Sequence, residues 1–334
     1  MSKLLVLLAT ALAGVAVFSV MNPEPLTAAE RPPADQAALG ARLFHDPILS
    51  RDRRISCAGC HKPQHAYADT VAFSPGIDGH LTHRNVPSVM NVRGRVGGFF
   101  WDGRAATLEE QALQPIINPE EMNLSIDEAV RRLTAHPDYS VWFRSIFGRA
   151  PDAAALAEAL AAFQRRLETA DSAYDRYLGG DRTTLSPAAM RGRDLFRGKA
   201  LCLSCHHGED FNSPRARNIG LYDGGRLNDH GREAVTGDPA DRGLFVVPGL
   251  RNVAVTAPYM HNGMFATLRE VIDYYDDPSQ FGIASINRDP LLDARLNLTE
   301  QEKQDLEAFL HALTDRRFLP PTGVPSSQNG SKPS

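Results

Sequence analysis

Cysteine is scarce in this chain of 334 residues: there are four, and none stands alone. All four fall in two short units, which leaves none for a disulfide framework. Charge of one sign is missing too. Lysine and arginine number 36 against 40 aspartate and glutamate, a formal net charge of −4. Nothing in that balance points to nucleic acid, and no like-charge run suits a polyelectrolyte partner. Long apolar runs are absent after residue 20, which excludes a multi-spanning membrane protein. What remains is the composition of a soluble globular protein, long enough for two domains with separate cores.

The N-terminus differs. Lys3 precedes an apolar run of 17 residues, Leu4 to Val20, followed by Pro23, Pro25 and "LTAAE". This predicts a secretory signal over 1–29, cut after Ala29. The alternative is an uncleaved anchor, since about 17 residues is the lower edge of what spans a bilayer. Either way the folded part lies outside the cytoplasm, and a periplasmic location is expected.

The cysteines sit in "RRISCAGCHK" (53–62) and "ALCLSCHHGE" (200–209), two Cys-x-x-Cys-His units. Two thiols one helical turn apart can add to the two vinyl groups of one porphyrin, and the next histidine reaches the iron. A redox dithiol or half of a zinc site are the rival readings. Two units, an export signal and no spare cysteine favour two covalently bound haem c groups. They would be held by Cys57, Cys60 and His61, and by Cys202, Cys205 and His206; His207 is read as a bystander.

The run-up repeats as well. "AALGARLF" (37–44) and "AAMRGRDLF" (188–196) share Gly-x-x-Leu-Phe. Ser186 and Pro187 mark a helix start. Helices are also predicted over 125–147, with Ser125 and a capping-box Glu128, over 152–178, and over 298–313, with Thr299 and Glu302. Loops run over 62–100 and 207–260; loops that long inside a domain serve a function such as walling a cofactor. The expected fold is mainly α, two tandem cytochrome c-like haem domains over 30–180 and 181–319, with a disordered tail over 320–334.

The stretch "NVPSVMNVRGRVGGFFWDGRAATLEEQALQPIINPEEM" (85–122 from Asn85), the two haem units and "VPGLRNVAVTAPYMHNGMFATLREVIDYY" (247–275) resemble the bacterial di-haem cytochrome c peroxidase family, including its MauG-like branch. The resemblance covers about residues 36–317. It implies that the N-terminal haem reacts with hydrogen peroxide and the C-terminal haem stores or relays electrons. A peroxide-reactive iron needs one open face; a relaying iron is better with both filled.

In many members a loop histidine closes the first iron at rest. That position falls on Ile77 here, with His80 and His83 as nearby substitutes. The resemblance implies Glu121 as acid–base, Gln111 as a hydrogen-bond donor, and Trp101 as a relay between the haems. Glu109, Glu110 and Glu120 are read as surface residues and Trp142 as core. The sixth ligand of the second haem, a methionine in electron-storing members, falls on Tyr275, which is the MauG-like arrangement. Tyr274, Met264 and Met260 remain alternatives. A second tryptophan that the branch's namesake carries before its second haem unit is Ala200 here, which argues against the namesake's substrate. One calcium ion is implied at Asn85, Thr256 and Pro258. The implied partners are peroxide and an external donor (a small cytochrome c, a copper protein or another substrate), and the family admits a homodimer. The rival functions are a reductively activated peroxidase and a non-catalytic electron-transfer cytochrome.

Overall fold

Helices begin where the sequence supplies caps. The computed structural model describes residues 31–320, so the expected signal, and the tail beyond its first residue, lie outside the described residues. The helices are α1 Gln36–His45, α2 Cys57–Cys60, α3 Leu108–Ile117, α4 Ile126–Ala135, α5 Pro137–Phe147, α6 Ala153–Arg166, α7 Ala173–Leu178, α8 Pro187–Arg197, α9 Glu233–Thr236, α10 Leu268–Asp276 and α11 Glu300–His311. Sheet among the described residues is one antiparallel pair, β1 Ala216–Arg217 with β2 Phe245–Val246. The fold is mainly helical, as expected. From Pro33 on, the described chain forms one compact unit.

Two expected helices are broken. The 125–147 segment divides between α4 and α5, because Pro137 starts a new helix and His136 caps it, its Nδ1 accepting from the Asp138 and Tyr139 amides. Glu128 does not close a capping box; its carboxylate pairs with Arg131 and Arg132. The 152–178 segment stops at Arg166 and restarts at Ala173, where Ser172 and Asp175 form a capping box. Between them Thr169 is tied to Asn91 and Asn252, its hydroxyl 2.7 Å from Asn91 Oδ1 and 3.0 Å from Asn252 Nδ2. Those tertiary bonds hold 167–172 out of the helix. The Ser186 cap and the Thr299–Glu302 box form as expected.

The Gly-x-x-Leu-Phe repeat has a packing role. Helix α1 crosses α6 at Gly40, and α8 crosses α11 at Gly192. A Cβ at Gly40 would lie 1.8 Å from the Ala159 carbonyl oxygen and one at Gly192 1.8 Å from the Asp305 carbonyl oxygen. Leu39, Leu43, Phe44, Leu156 and Leu160 fill one core around the first crossing, and Phe196, Leu306, Phe309 and Leu310 fill another around the second. Gly192→Ala therefore loses more to overpacking, about 1–3 kcal/mol or above, than the roughly 1 kcal/mol that alanine gains in helix propensity. A fall of several degrees in thermal midpoint is expected, and an unchanged midpoint would refute the close crossing.

Candidate active site

Each Cys-x-x-Cys-His unit is one tight turn. Cys57–Cys60 is a single helical turn, and Cys202–Ser204 a 3₁₀ turn entered through Leu201 at φ +55°. In both, the histidine amide closes onto the first cysteine, His61 N to Cys57 O and His206 N to Cys202 O, each 2.8 Å. Both rings are then fixed alike. His61 Nδ1 lies 2.9 Å from the Tyr67 carbonyl and His206 Nδ1 2.9 Å from the Phe211 carbonyl. A ring held by Nδ1–H on a carbonyl presents Nε2 as a lone pair, the usual arrangement of an iron-ligating histidine. Burial lowers the pKa of both rings, which keeps them neutral.

The four cysteines are free. Burial pushes the Cys57 and Cys202 thiols up to about 12 and Cys60 to about 11. A redox dithiol needs a stabilised thiolate, so this environment disfavours that rival reading. Among the described residues no group of three or more His, Cys, Asp or Glu side chains is gathered for a metal. Thiols that stay neutral at the wall of a largely apolar cavity, each pair beside an oriented histidine, fit a thioether-linked haem.

Each unit opens into its own cavity. The N-terminal one is lined by Cys57, Cys60, His61, Gln111, Pro115 and Glu121. The C-terminal one is lined by Cys202, Cys205, His206, Val271, Ile272 and Tyr275. The two share a wall that includes Asn85, Pro87, Arg95 and Trp101. Trp101 is pinned there by its Nε1–H, which donates to the Asn85 carbonyl at 2.8 Å, and it stands edge-on to His261 at 6.4 Å.

The far walls are built by the same device. "ATLEE" (106–110) starts α3 and "ATLRE" (266–270) starts α10, with Thr107 and Thr267 as N-caps. Leu108, Gln111, Ala112 and Pro115 line the first cavity, and Leu268, Val271, Ile272 and Tyr275 the second. These are positions i, i+3, i+4 and i+7, one face of each helix. Pro115 and Tyr275 thus occupy the same place, each 8 residues past its cap. Proline has no atom to offer iron, whereas a phenol oxygen is a ligand. Sequence reasoning missed this pairing, although the ATLxE repeat carries it.

The remaining expectations separate clearly. Tyr274 is fully buried and its hydroxyl donates to the Ile219 carbonyl at 2.5 Å, so it is committed outside the cavity. Met260 lines the C-terminal cavity; Met264 does not, and its sulfur receives the Asn262 amide at 3.7 Å. Burial, and the neighbouring Tyr274, raise the Tyr275 phenol; only a cation on its oxygen would make it tyrosinate at neutral pH.

Ile77 is buried and outside the N-terminal cavity, and His80 is exposed. His83 is at the cavity rim but exposed, with Nε2 2.9 Å from Glu120. Glu109 pairs with Arg165, and Glu110 caps the Ala106 amide. Glu121 is different: burial raises its pKa, opposed by Asn118, whose Nδ2 donates to its Oε1 at 2.7 Å. Trp142 is half-buried against the N-terminal core, with Arg42 over its ring. Asn85, Thr256 and Pro258 all line the C-terminal cavity, and Asn85 is buried with Nδ2 on the Val71 carbonyl.

Comparison with known proteins agrees with this geometry. The family model described as di-haem cytochrome c peroxidase matches residues 34–183. The methylamine utilization protein MauG of Methylorubrum extorquens is 38% identical over 302 residues, covering 88% of this chain and 81% of its own. Cytochrome c551 peroxidase of Nitrosomonas europaea is 33% identical over 328 residues, covering 95% and 93%. The crystal structure of a MauG-like protein associated with microbial copper homeostasis superposes with a TM-score of 0.76 at 35% identity, over 92% of this chain and 99% of that one. Both branches match at similar identity, so the branch has to be read from the residues facing the cavities.

Proposed function

Because the chain belongs to the di-haem cytochrome c peroxidase family, we propose that it is a peroxidase of the MauG-like kind, with an open N-terminal iron and a tyrosine on the C-terminal one. The observation that carries this reading is the Pro115/Tyr275 pair, one helix position with two different side chains.

Two haems, one per cavity, would be held through Cys57, Cys60 and His61 and through Cys202, Cys205 and His206. Bound haem supplies an iron at which the peroxide O–O bond is reduced and from which the oxidising equivalents are passed on. Glu121 takes the first proton of peroxide and returns it to the leaving oxygen. Gln111, on the same wall, donates a hydrogen bond to the reacting oxygen. Trp101, in the wall common to both cavities, serves as the relay. Its indole N–H is held on a carbonyl, which cannot accept the proton, so the ring keeps it when oxidised. Asn85, Thr256 and Pro258 would hold one calcium ion. The repeated Gly crossings, haem units and ATLxE helices support two tandem haem domains, over 30–180 and 181–319. The apolar N-terminal run and this haem chemistry support a periplasmic location.

Electrons come from an external donor, a small c-type cytochrome, a copper protein or an oxidisable side chain or organic molecule. Ala200 is buried and aliphatic, so the route out differs from one that uses a tryptophan there. The test is to add one equivalent of peroxide to the resting ferric protein without any reductant. Direct consumption, with the spectra of both haems changing together, is expected. A requirement for prior reduction would replace this reading with the reductively activated type, and no reaction under either condition would leave an electron carrier.

A further inference from the structure

The wall between the two cavities carries a charge with nothing to balance it. Five arginines line the cavities: Arg84, Arg95, Arg104, Arg217 and Arg251. Four have carboxylates. Arg84 and Arg104 share Asp102, with Asp229 also on Arg84; Arg217 meets Asp289 at 2.6 Å; Arg251 meets Asp175 and Asp210, each at 2.9 Å. Arg95 has none. Among the described residues its guanidinium makes no ion pair or hydrogen bond, and its one neighbour of note is the Phe99 ring at 5.9 Å. Burial lowers its pKa to about 10, so it stays charged at neutral pH. A charged guanidinium that faces both cavities without a carboxylate becomes costly once they are filled, unless an anion completes it.

Its loop places it firmly. The segment folds back through Arg95 N on the Val92 carbonyl, at 3.2 Å. Gly97, at φ +87°, passes so close to Pro214 that a Cβ would lie 2.5 Å from its carbonyl oxygen. The arginine is therefore held where the cavities meet. A second incomplete donor faces the C-terminal cavity. Arg217 spends Nη1 on Asp289, but its Nε is buried without a partner.

Haem brings carboxylates of its own, the propionates, and an arginine fork matches a carboxylate. Resting on the two-haem reading above, we propose that Arg95 anchors propionates of both haems from the shared wall, with Arg217 Nε as a further donor on the C-terminal side. One positive charge then acts on both irons. A cation nearby favours the form with the extra electron, so it raises both reduction potentials.

The test uses the holoprotein of Arg95→Gln and Arg95→Lys. A pyridine haemochrome assay first counts the haems; fewer than two in the parent protein would overturn the cofactor reading and the proposal with it. With two haems retained, spectroelectrochemical titration of Arg95→Gln should show both midpoints moved to lower potential. Resonance Raman should show shifted propionate bending modes for both haems. Arg95→Lys keeps the charge and loses the fork, so its midpoints should stay near the parent values while the propionate modes still move. Unchanged midpoints and modes in Arg95→Gln, or a change confined to one haem, would overturn the proposal. Should Arg95→Gln fail to fold, unshifted propionate modes in Arg95→Lys would overturn it equally.

Discussion

Replacing Glu121 by glutamine should lower kcat/KM for peroxide about 10²- to 10⁴-fold, the usual contribution of a positioned acid–base group. Haem content and thermal midpoint should hardly change. The side chain lines the N-terminal cavity, and among the described residues its carboxylate accepts one hydrogen bond, from the Asn118 amide at 2.7 Å, which a glutamine oxygen can also accept. The substitution therefore preserves shape and removes proton transfer. The pH profile gives an independent check. Burial raises the Glu121 pKa, and the working form is the carboxylate. Activity should be present above that raised pKa and lost as pH falls through it, so the acid limb lies above the ordinary glutamate range. Asn118→Ala removes a bond that favours the carboxylate and should move the limb to still higher pH. A limb at the ordinary value, indifferent to Asn118, would mean another group is the base.

Replacing Tyr275 by methionine should raise the midpoint of the C-terminal haem by a sizeable part of the roughly 0.8 V that axial ligation spans. An anionic, hard oxygen stabilises the oxidised iron, and a neutral, soft thioether stabilises the reduced one. The N-terminal haem should keep its potential, because Tyr275 lines the other cavity. The variant should also react poorly with peroxide in the ferric state, since its second site no longer holds an oxidising equivalent readily. Tyr274→Phe is the control. Its hydroxyl donates to the Ile219 carbonyl, so the variant should lose about 1 kcal/mol of stability with both haem spectra unchanged.

The local parts of this account were legible in the chain. Cys-x-x-Cys-His is contiguous, and a turn closed by His61 on Cys57 needs no distant contact. The crossings at Gly40 and Gly192 were half legible. The repeated Gly-x-x-Leu-Phe was visible, but its partners on α6 and α11 lie more than a hundred residues away. The break between α4 and α5 was signalled by Pro137 and overridden by a period that continued across it. No local signal marks the break after Arg166, which depends on Thr169 meeting Asn91 and Asn252. Tyr275 could be reached through the family resemblance of the 247–275 stretch. Its pairing with Pro115 was carried by the repeated ATLxE, but what the pairing means emerges only when two helices are seen to wall two cavities. Arg95 was opaque: in sequence it is one arginine in a glycine-rich loop, and its place in the wall of both cavities without a carboxylate is a tertiary fact.

The central claim is that the two haem sites are alike in attachment and different in what closes the far side of the iron. Low-temperature EPR of the resting ferric protein, recorded beside Tyr275→Met, addresses it most directly. The account predicts one high-spin and one low-spin signal in the parent protein, with only the low-spin signal altered by the substitution. Two low-spin signals, both indifferent to Tyr275, would contradict it.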